Sequence, residues 1–93
     1  MSCDGRYRSS AQIAFARRVN AILVKTLYGE INTHYDHATD TLLIRISNLG
    51  QTFVYKYGWV SDGIANGVTE EYCADKIIEV YTKWLERFVI KEN

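Results

Sequence analysis

Within His34-Tyr35-Asp36-His37-Ala38-Thr39-Asp40 stand both histidines of the chain and two of its aspartates. Imidazole and carboxylate are the side chains that ligate divalent metals and exchange protons near neutral pH. Either chemistry requires the groups to converge. On a strand, His34 and Asp36 share a face two residues apart, so one imidazole and one carboxylate could approach one ion. His37 and Asp40 instead fall in the connection to the next strand, where no periodicity sets their direction. The same composition also makes a four- or five-residue hairpin turn, because Asp and Thr side chains hydrogen-bond to local backbone amides. Turn chemistry accounts for the segment, and no metal is expected there.

Other catalytic patterns are missing from the sequence. There is no glycine-rich loop with phosphate-binding spacing, no G-x-S-x-G elbow, and no nucleophile set beside a histidine. Glu70 and Glu71 are neighbours, and adjacent residues of a helix point about 100° apart, so they suit a helix first turn better than an acid/base pair. Cys3 and Cys73 are isolated from each other and from any C-x-x-C pair, which argues against structural zinc and against a disulfide scaffold. Cys73 falls on an apolar helical stripe and reads as a buried, reduced thiol. A non-enzymatic chain without cofactor is expected.

The elements that would position these residues follow from the pattern of apolar side chains. With 93 residues, 47% of them hydrophobic, and no proline, residues 1–93 should form one domain around one core, with 1–8 a frayed terminus. The start lacks the apolar run of a signal peptide, and no window approaches the ~18–20 apolar residues of a membrane span, so a cytoplasmic protein is expected. Ser9-Ser10-Ala11-Gln12 matches a capping box that would begin a helix. Phe15, Ala16, Val19, Ile22, Leu23 and Leu27 share one face of it, and Gly29 would stop it. Ile31, Thr33 and Tyr35, then Leu42, Ile44 and Ile46, then Phe53, Tyr55 and Tyr57 alternate with polar neighbours and predict three strands, the last two joined by a tight reversal at Asn48-Leu49-Gly50.

Glycines and polar residues between Gly58 and Gly67 mark a loop with room for one helical turn, from which Trp59, Val60 and Ile64 could tuck inward. Thr69 would cap a final helix with Glu70 and Glu71 in its first turn and Cys73, Ile77, Val80, Tyr81, Trp84, Leu85 and Phe88 on its apolar stripe. Glu79 four residues before Lys83 supports its exposed face. The expected fold is α+β, in the order α-β-β-β-α, with two helices packed on one face of a three-stranded antiparallel sheet.

Charge is balanced overall but segregated. Residues 1–28 carry Arg6, Arg8, Arg17, Arg18 and Lys25 against Asp4 alone, a net +4, and residues 29–93 carry the compensating −4. Such asymmetry can steer a charged partner.

The run Leu42-Leu43-Ile44-Arg45-Ile46-Ser47-Asn48-Leu49-Gly50-Gln51-Thr52-Phe53-Val54 resembles the central hairpin of small anti-CRISPR proteins, encoded by phages of Gram-positive bacteria, that inhibit the type II-A RNA-guided nuclease. More broadly, Tyr35–Ile46 and the aromatic elements after it look like small accessory proteins of phages and integrative elements. The resemblance implies an inhibitor that occupies the nuclease's site for its short duplex motif, presenting carboxylates to arginines that otherwise read DNA. Its implied partner is a host protein in the bacterial cytoplasm, and the candidate contact residues are Asp36, Asp40, Asn48, Asp62, Glu70, Glu71 and Asp75. That family is strongly acidic and carries an acidic residue in the hairpin reversal, where this chain has Leu49. A neutral inhibitor could use a sheet edge or the Leu43, Leu49 and Trp59 region instead.

Two other readings stand beside it, one of which shares the element order. The double-stranded RNA-binding domain is also α-β-β-β-α, and Arg6, Arg8, Arg17, Arg18 and Lys25 could touch nucleic acid. Its last helix begins with lysines, however, whereas here Glu70, Glu71 and Asp75 would repel phosphate. The third reading is a homodimer that associates through the aromatic sheet face.

Overall fold

Hydrophobic periodicity sets the elements, which run in the order α1 (Asp4–Thr26), β1 (Glu30–Asp36), β2 (Thr41–Asn48), β3 (Gln51–Gly58), α2 (Val60–Ala65) and α3 (Glu70–Val89). The computed structural model describes residues 4–89, and side chains within it from Ser10 to Arg87. Cys3 lies outside the described residues, as do the side chains of Arg6, Arg8 and Phe88.

In α1 the 3.6-residue period places Phe15, Ala16, Val19 and Leu23 in the core, with Ile22 and Leu27 packed against it. The capping box at Ser9 is not used. The helix already runs from Asp4, since nothing between Gly5 and Ser10 breaks it, and the Gln12 amide donates to Ser61 Oγ at 2.8 Å instead of folding back on a cap. Gly29 is likewise not the helix stop, because α1 ends at Thr26 and the Leu27 N–H adds one further helical bond to the Leu23 carbonyl at 2.8 Å. Gly29 serves the strand that follows. Its φ is +115°, and a Cβ there would stand 2.5 Å from the Ser47 carbonyl oxygen, so only glycine lets β1 start against the end of β2.

The sheet has β2 in the middle, antiparallel to β1 and to β3. Alternation sends Leu42, Ile44 and Ile46 to one face, where all three are fully buried. Phe53 is buried beside them, and Ile31, Tyr35, Tyr55 and Tyr57 pack at the margins. Asn32, His34, Arg45, Val54 and Lys56 are exposed and lie at the alternate positions, on the opposite face.

Helix α1 is tied to β1 by the Thr33 hydroxyl, which donates to Asn20 Oδ1 at 2.9 Å. Helix α3 brings Tyr81 and Trp84 onto Phe53, with ring centroids 5.4 and 5.3 Å away. Asn48 Nδ2 donates to Tyr81 Oη at 3.3 Å, fastening the β2–β3 reversal to α3. At its other end α3 begins as expected, the Thr69 hydroxyl accepting the Tyr72 N–H at 3.0 Å. Cys73 is buried as expected. Among the described residues no helix is long and apolar enough to cross a membrane.

The α+β class and the antiparallel sheet with helices packed against it match the sequence reading. The helical turn for which the loop after β3 has room is the short α2, so there are three helices among the described residues. Val60 is its buried anchor and Ile64 is half-buried, but Trp59 does not tuck inward and is 75% exposed.

The β2–β3 reversal has two central residues, Leu49 at φ +57° and Gly50 at φ +76°. Positive φ at both is the type I′ turn, whose twist matches the flanking strands and which favours Asn-Gly. Leu49 is 74% exposed and so gains little from burial against the ~1 kcal/mol that a left-handed L-residue costs. Leu49→Asn should therefore raise the melting temperature by about 4–8 °C. Gly29→Ala should lower it by at least as much, and thermal unfolding followed by circular dichroism reads both.

Candidate functional site

The aspartate that closes His34–Asp40 organises one end of the molecule. Asp40 stands at φ +53°, as the last residue of the four-residue connection from β1 to β2. Its Oδ1 accepts hydrogen bonds from Tyr35 Oη at 2.6 Å and from Ser61 Oγ at 2.8 Å. The same carboxylate accepts the Ser61 N–H at 3.1 and 3.2 Å, and the Asp40 carbonyl accepts the Val60 N–H at 3.1 Å. With Gln12 donating to Ser61 Oγ, one cluster joins α1, β1, the turn and α2. Helix α2 has no cap of its own, because its N-cap residue is Trp59, in the left-handed region and without a side-chain cap bond. Asp40 supplies that function from a different element, accepting an orphan N–H and placing negative charge at the helix start.

The same contacts set the protonation of the pair. Burial, the hydrogen bond to Asp40 and the nearby negative charge push the Tyr35 phenol up to about 12. For Asp40 burial acts upward, but the bonds from Tyr35 and Ser61, with His37 nearby, outweigh it and hold the carboxyl below its ordinary 3.8. The site is therefore a neutral phenol donating to a carboxylate that stays ionised, and neither group is poised to exchange a proton near neutral pH.

The other members of the segment also build structure. Asp36 Oδ1 accepts the Ala38 N–H, and Oδ2 accepts the Thr39 hydroxyl, both at 3.0 Å, which is the local bonding that bends an Asx-type turn. His34 is exposed on the outer face of the sheet, in register with Leu43 and Lys56. Among the described residues no three His, Cys, Asp or Glu side chains gather in reach of one metal ion.

The remaining candidates are dispersed. Asn48 is taken up by Tyr81. Glu71 pairs with Arg18 at 3.2 Å, so one member of the acidic set and one of the basic set engage each other. Hydrogen bonding to its own N–H and the contact with Arg18 hold the Glu71 carboxyl below its ordinary 4.5. Asp62 and Asp75 are exposed on α2 and α3, and Glu70 is half-exposed. Arg17 and Lys25 are exposed on α1. Burial pushes the Cys73 thiol up to about 11, which leaves it protonated and unreactive at neutral pH.

The residue brought into prominence is Trp59. It occupies the left-handed region at φ +59°, between the end of β3 and the Val60 N–H that Asp40 holds, and its indole is three-quarters exposed. A strained backbone beneath an exposed tryptophan, with exposed Asp62 three residues on, is the arrangement at this end least explained by packing. Neither the exposure of Trp59 nor the bonding of Ser61 to Asp40, 21 residues away, leaves a mark in local periodicity. The chain matches no known family model, no curated protein and no solved structure.

Removing the carboxylate tests the cluster. Asp40→Ala should cost about 1.5–3 kcal/mol, the scale for hydrogen bonds to a charged group, and should release α2 before the sheet, visible as accelerated amide exchange at Val60 and Ser61. Because folding lowers the Asp40 value, its contribution is present above pH 3.8 and is lost as pH falls below that. Tyr35 has the opposite sign: its contribution is complete below pH 10 and is lost as pH rises toward about 12. Burial also raises Tyr57, so phenolate absorbance should show more than one late-titrating tyrosine, of which Tyr35→Phe removes one.

Proposed function

We propose that this protein acts by binding another protein, with no chemistry of its own, and that Trp59 anchors the contact at the end of the fold formed by the 37–40 turn and α2. The observation that carries this reading is the 75% exposure of Trp59 at a left-handed backbone position. Tryptophan offers a large, rigid, amphipathic surface that loses little conformational entropy on binding, and it is over-represented among residues that dominate interface energies. Strained backbone that packing does not require concentrates at such sites.

The resemblance of the Leu42–Val54 hairpin to anti-CRISPR proteins makes a type II-A RNA-guided nuclease the first partner to test. Its arginine-lined motif site would complement Asp62, Glu70 and Asp75, the acidic candidates whose carboxylates are not engaged by another side chain among the described residues. Asp36, Asp40 and Glu71 are committed to turn, cap and ion pair, so their loss would act through folding. Nucleic-acid binding through α1 is the weaker reading, since Arg18 faces a carboxylate and Glu70 and Glu71 open α3, with Asp75 in its second turn.

Binding of the purified nuclease, with and without target DNA, is the direct experiment. Trp59→Ala should weaken the complex by ~30-fold or more, the scale of an interface hot spot, and leave the melting temperature nearly unchanged. Arg17→Glu should leave binding as it is. Full-strength binding by Trp59→Ala, or loss in Arg17→Glu, overturns the proposed surface, and absence of any complex removes this nuclease as the target.

A further inference from the structure

β3 is an edge of the sheet that lacks the usual guards against pairing. Its register with β2 runs unbroken from Asn48↔Gln51 to Thr41↔Gly58, so there is no bulge. It contains no proline, and Lys56 is its one charge. In a hairpin closed by a two-residue turn, the flanking pair Asn48 and Gln51 exchange hydrogen bonds, and every second pair beyond does the same. Phe53, Tyr55 and Tyr57 therefore bond to β2, while the N–H and C=O groups of Thr52, Val54 and Lys56 point away from it. All three of these residues are exposed.

A half-open cavity of about 210 Å³ lies alongside, lined by Tyr55 and Tyr57 of β3, Val68, and Tyr72, Cys73 and Lys76 of α3. From Tyr72 and Lys76 the exposed stripe of α3 continues through Glu79 and Lys83, at the i, i+4, i+7, i+11 spacing of one helix face.

We infer that a second copy of this chain docks along β3, antiparallel to it about a twofold axis near Tyr55, and extends the sheet to six strands. Charge complementarity selects this occupant. The twofold reverses the α3 stripe, so Glu79 of each copy exchanges its exposed 3.6 Å pair with Lys83 of its own helix for Lys76 of the other copy, and the Lys83 ammonium so released meets the aromatic face of Tyr72. Within the strands, the register that sets Tyr55 opposite itself sets Val54 opposite Lys56 and Phe53 opposite Tyr57, with no like charges facing. Both copies close the same tyrosine-lined cavity. The other edge does not offer this. Full antiparallel pairing of β1 with itself places Glu30 opposite Asp36, a repulsive pair. The inference concerns β3 and α3 and stands independently of the role proposed for Trp59.

Sedimentation equilibrium or light scattering on the full chain tests it. At about 100 µM the wild type should have twice the 10.7 kDa mass of one chain. Val54→Pro removes an outward N–H without touching the β2 ladder, and should give a folded monomer by circular dichroism. Lys76→Glu and Glu79→Lys should each weaken dimerisation by ~10-fold or more, while the double variant restores it, which no loss of folding could imitate. A wild-type mass of one chain at this concentration overturns the inference. So does a dimer indifferent to the charge reversals. Should Val54→Pro fail to fold, the charge-swap series decides alone.

Discussion

One carboxylate, that of Asp40, accepts bonds from Tyr35, from the Ser61 hydroxyl and from the Ser61 N–H, and the placement of α2 depends on it. Six residues of helix are too short to persist alone, because the nucleation cost is not recovered over so few bonds. Helix α2 exists where Val60 is buried at one point and its first N–H groups are met by Asp40 at another. Tyr57 completes the seat by laying its hydroxyl against Gly63, where any Cβ would collide. The bends on both sides follow: with Val60 held to the Asp40 carbonyl, the chain leaving β3 must turn at Trp59, and the indole is left outside.

Among the described residues three non-glycine residues take positive φ, namely Asp40, Leu49 and Trp59, and they are not equivalent. Each costs on the order of 1 kcal/mol relative to an ordinary conformation. At Asp40 the cost is offset on the spot, since the strained residue makes the charge-assisted bonds that hold the end together. At Leu49 the two-residue reversal demands positive φ of whatever residue stands there, and the leucine is merely a poor choice for it. At Trp59 the strain is imposed by neighbours, and the side chain gains no burial in return. That difference is why the proposed contact is centred on Trp59 and not on the chemically richer histidine segment.

What could be read in advance was what is encoded locally. Leu42, Ile44 and Ile46 announce a strand by alternation, Thr69 announces a helix start by its place before Glu70 and Glu71, and Cys73 announces its burial by falling on a stripe with Ile77 and Tyr81. The segment His34–Asp40 was half legible. Asp36 bonds within three residues, as turn chemistry requires, while Asp40 finds Ser61 across 21 residues that no periodicity connects. Ser9 shows the converse error: a capping signature is permissive, and a chain with no breaker upstream continues as helix through it. Hydrophobicity alone sends a tryptophan inward, and only the geometry of the bend reverses that for Trp59.

The segregation of charge along the chain acquires a structural meaning from the way the helices lie. Gln12 is bonded at the α2 end and Arg18 meets Glu71 at the start of α3, while Gly29 just past α1 and Tyr81 further along α3 approach Ser47 and Asn48. α1 and α3 therefore run in the same direction, an arrangement in which their dipoles are unfavourably aligned. A basic side chain from α1 arriving at the positive end of α3 would add to that repulsion. Glu71 in the first turn of α3 answers both, accepting its own backbone N–H and the Arg18 guanidinium. The pair is exposed, at 62% and 59%, and so contributes little to net stability. Its consequence is for recognition: the basic stretch of residues 1–28 is partly neutralised where it crosses α3, leaving the basic side of α1 less able to hold phosphate than its composition alone implies.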